Sequence, residues 1–244
     1  MGIFEVVAVI VLVAGAAIVQ SMTGFGFALL IVPPLVLLLG PREAVVIANV
    51  VGTALAGAML IRLHAEVQWA TAFLLIGASL AGMPIGLLVL TQTSPDVLQV
   101  LIAVTVIVFT LLLMSGLSLG SQLTRTGSIM TGLVAGTLRT STSMAGPPIV
   151  LYLQGTAMPS GVFRSTITAF FFLSGLGAVL VFAGEGSLTG ELALVGVASA
   201  PAVYAGLRVG ANLYGRIGEA RFRGLVFAVL IASALMAIAG ALMP

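Results

Sequence analysis

Uninterrupted apolar blocks recur along this chain, and their length decides what it can fold into. They run over about 3–20, 27–40, 43–61, 69–90, 96–117, 127–138, 147–154, 160–183, 190–213 and 222–243. About 20 apolar residues at 1.5 Å per residue cross the ≈30 Å hydrocarbon core of a bilayer. The composition agrees: 60% of the 244 residues are hydrophobic and 7% are charged, against about 25% charged in a soluble domain. Mean hydropathy is +1.28, and such a chain lacks the polar surface that water requires. A membrane β-barrel would alternate polar and apolar residues in ten-residue segments; these blocks do not alternate. The expectation is an all-α polytopic membrane protein.

Composition also removes whole classes of function. All nine basic residues are arginines, scattered among loops and helix ends, so no basic face exists to grip a nucleic acid. There is no cysteine and the only histidine, His64, sits in the polar stretch Arg62–Glu66. Thiolate catalysis, disulfides and cysteine- or histidine-cluster metal sites are therefore not expected, and no cofactor is called for. An intramembrane enzyme would need a nucleophile–base pair or metal ligands at membrane depth, so an enzyme is not expected. The first twenty residues carry Glu5 and no basic n-region, and are read as a retained span rather than a cleaved signal.

Two blocks are too short to span: fourteen residues at 27–40 and eight at 147–154, the latter covering about 12 Å as a helix. Each follows a break rich in Gly, Ser and Thr, SMTGFG at 21–26 and RTSTSMAGPP at 139–148. The order broken helix, half-helix, long helices occurs twice. GMPIG at 82–86 is matched by GLRVG at 206–210, and Pro41 by Pro159. This predicts two transmembrane repeats, 1–120 and 121–244. Each holds an odd number of segments, so the second copy is inverted relative to the first, as in many secondary transporters with discontinuous helices at the midplane.

Irregular backbone at membrane depth survives only inside protein or beside a watery cavity. Gly24, Gly26 and Gly146 let the chain turn, and Pro147 and Pro148 suit the first turn of a restarted helix. Helix starts near 27 and 147 offer peptide N–H groups to an anion. Thr23, Thr140, Ser141, Thr142 and Ser143 add hydroxyls, and Arg139 adds a planar cationic fork suited to oxyanions. Asn49 and Thr53, one turn apart in an apolar helix, are candidate site-lining groups, and Arg164 a candidate for the cytoplasmic approach. The competing reading is structural: Ser and Thr bond back to their own helix, and Arg139 snorkels to the interface. For the glycine pairs at 82–86, 132–136 and 206–210, close helix packing is the expectation.

The run Gly24-Phe25-Gly26-Phe27-Ala28-Leu29-Leu30-Ile31-Val32-Pro33 resembles the glycine-rich first-repeat motif of the TauE/SafE sulfite-exporter family. Gly146-Pro147-Pro148-Ile149-Val150-Leu151-Tyr152 resembles its second-repeat motif, and length and repeat plan agree along nearly the whole chain. The resemblance implies a bacterial inner-membrane permease for small sulfur-containing anions such as sulfite or short organosulfonates. Phe27 and Ala28 depart from the family pattern, where further glycines are common, and narrow the first loop.

If segments alternate, Arg62, Arg125, Arg164, Arg208, Arg216, Arg221 and Arg223 fall on one side, and Arg42 and Arg139 on the other. That bias makes the first side cytoplasmic and puts both termini outside. With carboxylates nearly absent from the spans, a buried proton relay is not expected. The expected activity is export of a small oxyanion by alternating access; the alternatives are a proton- or sodium-coupled anion importer and, less favoured, a membrane scaffold without substrate. Expected partners are the small anion and membrane lipid. Small-residue faces serve packing within and between chains alike, which leaves a homo-oligomer open.

Overall fold

The computed structural model describes residues 2–118, 122–156, 158–213, 231, 232 and 235. Expectations for Arg216, Arg221, Arg223 and nearly all of 222–243 lie outside the described residues. Ten helices are formed within them: α1 Ile3–Thr23, α2 Phe27–Leu39, α3 Pro41–Leu63, α4 Trp69–Gln92, α5 Pro95–Met114, α6 Arg125–Thr142, α7 Gly146–Gln154, α8 Ser160–Glu185, α9 Gly190–Ala198 and α10 Ala200–Leu213. Among the described residues, six helical stretches are long and apolar enough to cross a membrane, with α9 and α10 counted as one. The chain is a multi-pass membrane protein.

Local chemistry sets the boundaries. Pro41 and Pro95 occupy the first turns of α3 and α5, where a missing N–H costs nothing. Thr124 caps α6 by accepting from Gly127 N–H at 3.0 Å, and Thr189 caps α9 from Leu192 N–H at 3.3 Å. The apolar block at 190–213 is interrupted at Ser199, a break the sequence reading missed. Pro201 follows, and its ring denies the chain the N–H that Val197 O would accept.

α3 is the most buried of the spans and packs along α8. α6 lies on α4, and α1 on α10. Both flanking pairs are glycine seams. A Cβ added at Gly132 would sit 2.6 Å from Leu75 O, and one at Gly136 would overlap Ser79 O. Gly82 and Gly86 answer from α4, facing the backbones of Leu133 and Thr137. On the other flank, a Cβ at Gly206 would meet Ala14 O at 2.9 Å, and one at Gly210 Ile18 O at 2.7 Å. The expected packing role of all three glycine pairs is thus seen directly. Large apolar side chains such as Phe73, Leu88, Leu111 and Leu180 point outward. This outer face suits lipid and not water.

Candidate anion site at the paired helix breaks

Both breaks are shorter than the sequence suggests. The first is Gly24–Gly26, the second Ser143–Ala145. Arg139, Thr140, Ser141 and Thr142, expected in the irregular run, instead complete the last turn of α6. The reason is visible in their hydrogen bonds. Thr140 Oγ1 donates to Met83 O of α4 at 2.7 Å, Ser141 Oγ to Thr137 O at 2.8 Å and Thr142 Oγ1 to Leu138 O at 3.0 Å. Ser141 and Thr142 thus spend their protons on the carbonyls four residues back, as hydroxyls on a continuing helix do, and Thr140 ties α6 to α4. Having donated their only proton, they have none left for an anion.

A narrow cavity of ≈40 Å³ lies where the two breaks meet. That exceeds the roughly 10–15 Å³ needed for one water. α1 contributes Gln20, the first break and α2 contribute Gly26–Leu29, α3 contributes Ala48, Asn49 and Gly52, and α8 contributes Phe171. The second break adds Ser143, Met144, Gly146 and Pro147 beside Arg139. The two breaks approach closely: a Cβ on Gly146 would lie 4.0 Å from Phe25 Cβ.

Gly24 and Gly26 hold φ of 85° and 96°, values that only glycine adopts at little cost. They end α1 and start α2 within three residues. The first acceptor of the new helix, Gly26 O, serves Leu30 N–H at 3.2 Å. The N–H groups of Phe27, Ala28 and Leu29 precede that bond and lack intrahelical acceptors. All three residues line the cavity, so the positive end of α2 faces it.

Arg139 supplies the charge. It is 5% exposed, and no ion pair to it occurs among the described residues. Its Nη1 donates to Asn49 Oδ1 at 3.3 Å, while Asn49 Nδ2 donates to Arg139 O at 3.1 Å and Val45 O at 3.0 Å. The guanidinium carbon lies 5.7 Å from the ring centroids of both Phe170 and Phe171, which holds the plane in place. Its Nε is buried without a hydrogen-bond partner. Burying a cation without a counter-charge costs several kcal/mol, and none of the described carboxylates is buried.

The remaining candidates fall elsewhere. Thr23 Oγ1 lies 2.9 Å from Val19 O and 2.6 Å from Phe25 O and accepts Phe25 N–H at 3.1 Å; it builds the first break from behind. Gly24 faces α8, where an added Cβ would meet Arg164 Cγ at 3.1 Å. Thr53 donates to Asn49 O at 2.6 Å and wedges against Gly175 of α8. Arg164 is half-buried, donates from Nη2 to Ser21 O and lines a different cavity. Gln20 and Phe171 were not anticipated. Gln20 had a signal, a lone amide near the end of an apolar helix, of the kind that singled out Asn49. Phe171 had none, because only tertiary packing brings it to the arginine.

No curated protein and no solved structure matches the chain. A family model, Sulfite exporter TauE/SafE, matches residues 7–237. Paired helix breaks, a buried arginine and this match over nearly the whole length place the chain in the TauE/SafE sulfite exporter family.

Proposed function

We propose that the protein is a permease that exports sulfite or a short organosulfonate across the bacterial inner membrane, binding it between Arg139 and the start of α2. The observation that carries this reading is the buried Arg139, whose Nε lacks a partner and which shares its cavity with the first turn of α2, whose leading peptide N–H groups have no intrahelical acceptor. An oxyanion supplies both the missing charge and the missing acceptors. The proposed site is Arg139, Asn49, Gln20, Ser143 and the Gly26–Leu29 turn. Gly24, Thr23 and Thr53 support its walls, and Thr140, Ser141 and Thr142 hold α6 in place.

The two halves act as inverted repeats, both termini outside. In support, α1 packs on α10 as its sequence counterpart α6 packs on α4. Such a pairing suits alternating access around the central α3–α8 contact. Export needs no proton relay: an interior negative by 100 mV expels a monovalent anion with about 2.3 kcal/mol, a gradient of about fortyfold. Proteoliposomes loaded with sulfite test this. Efflux should follow an imposed voltage, inside negative. Movement driven by a proton gradient and indifferent to voltage would overturn uniport and favour coupled uptake.

A further inference from the structure

Three cavities are strung along α3. Its middle, Ala48–Gly52, borders the central site; its C-terminal end, Ala58–Leu63, borders a cavity of ≈400 Å³; its N-terminal end, Arg42–Val46, borders one of ≈470 Å³. The two end cavities differ in charge. The one at the N-terminal end carries Glu5, Glu43 and Glu191 against Arg42. The one at the C-terminal end carries Arg62, Arg164 and Arg208 and no acidic residue among its described lining. The rest of that lining is largely apolar, with Met59, Leu207 and Tyr204. Arg208 lies over the Tyr204 ring at 5.1 Å.

This cavity adjoins the central one at the end of α1, where Gln20 faces the inner space and Ser21 the outer. Arg164 lines the outer cavity beside the first break. It donates to Ser21 O, and its Cγ packs against Gly24 of the first break. Resting on the proposed anion permease function, we propose that the Arg62–Arg164–Arg208 cavity is a second anion site. It takes organic sulfonates that carry an apolar group, and passes on past Arg164 only oxyanions small enough for the ≈40 Å³ space beyond. The two volumes make the distinction: an aromatic sulfonate has room in the outer cavity and none in the inner one. Such an anion would bind, stay, and block.

The test uses the full chain in phosphatidylcholine nanodiscs for calorimetric binding, and in phosphatidylcholine proteoliposomes for sulfite efflux, with naphthalene-2-sulfonate as probe. The expected result is binding of the probe and a raised apparent KM for sulfite at unchanged maximal rate, with no transport of the probe. R62Q/R208Q should weaken probe binding about tenfold, by loss of local positive potential, and R62K/R208K should restore it. R139Q should bind the probe as the parent chain does. Probe binding lost in R139Q and kept in R62Q/R208Q would overturn the inference, since the ligand would then sit in the central site. Binding indifferent to all these substitutions would overturn it as adventitious partitioning. Phosphatidylglycerol in the nanodisc that displaces the probe would overturn it too, assigning the arginines to a lipid headgroup. The parent reading fails separately: R139Q that exports sulfite normally refutes the central site whatever the probe does.

Discussion

The two helix breaks do the same mechanical job with different chemistry. The first uses two glycines in the left-handed region and restarts as Phe27-Ala28-Leu29, which line the cavity and whose peptide N–H groups lack intrahelical acceptors. The second uses one left-handed residue, Ser143 at φ 65°, and restarts as Gly146-Pro147-Pro148, where two of three positions have no N–H at all. What the second break lacks in backbone donors it supplies through a side chain, Arg139, one turn before the break. One half offers dipoles and the other a charge. If the two halves are the inverted repeats proposed above, a symmetric fold holds an asymmetric site.

The comparison breaks most severely at Arg139. Arg139→Gln removes the only charged side chain among the described lining of the proposed site, and truncation of a buried charged contact costs about 2–5 kcal/mol, at least about thirtyfold in the apparent KM for sulfite. Flux assays on protein that still inserts and elutes as a folded species check this; Arg139→Lys should recover part of the loss, because the charge returns without the planar fork.

Ala28→Pro gives the first break the chemistry of the second. Proline is tolerated in a first helical turn, so α2 should still form. One donor disappears, and a hydrogen bond to a charged group contributes about 1.5–3 kcal/mol. The expected rise in KM is about tenfold, with an unchanged melting temperature; a normal KM would mean that the α2 start does not touch the anion.

The glycine requirement separates the breaks by a smaller margin. Gly24→Ala forces a left-handed conformation on a residue with a Cβ, for about 1–2 kcal/mol, and places that Cβ 3.1 Å from Arg164 Cγ. A lower melting temperature is expected, by several degrees. Ser143→Gly should do the opposite and least: relief of a left-handed serine changes stability by up to about 1 kcal/mol, readable as a small upward shift.

Much of the helical plan was legible because its punctuation is proline and glycine. The ends of α2 and the starts of α3 and α5 lie within a residue or two of where Gly26, Gly40, Pro41 and Pro95 put them. Hydroxyls were the ambiguous letters. Thr140, Ser141 and Thr142 read equally well as loop or as helix, and the choice was made by carbonyls within reach, one of them Met83 O on another helix. The N–H asymmetry of the two restarts was present in Pro147 and Pro148 from the beginning and needed only counting. The aromatic clamp of Phe170 and Phe171 was not legible, since nothing local links it to Arg139.

The glycine seams carry a mechanical consequence. Backbones in direct contact pack each pair densely along its length, so each seam is expected to move as one unit, a beam. Arg139 rides on the beam made of α4 and α6, and Gly24 on the beam made of α1 and α10. Each beam borrows one helix from either half of the sequence. Any tilt of one beam against the other would therefore change the gap between the guanidinium and the dipole end of α2, so that grip on the proposed anion and the shape of the protein would be geared together.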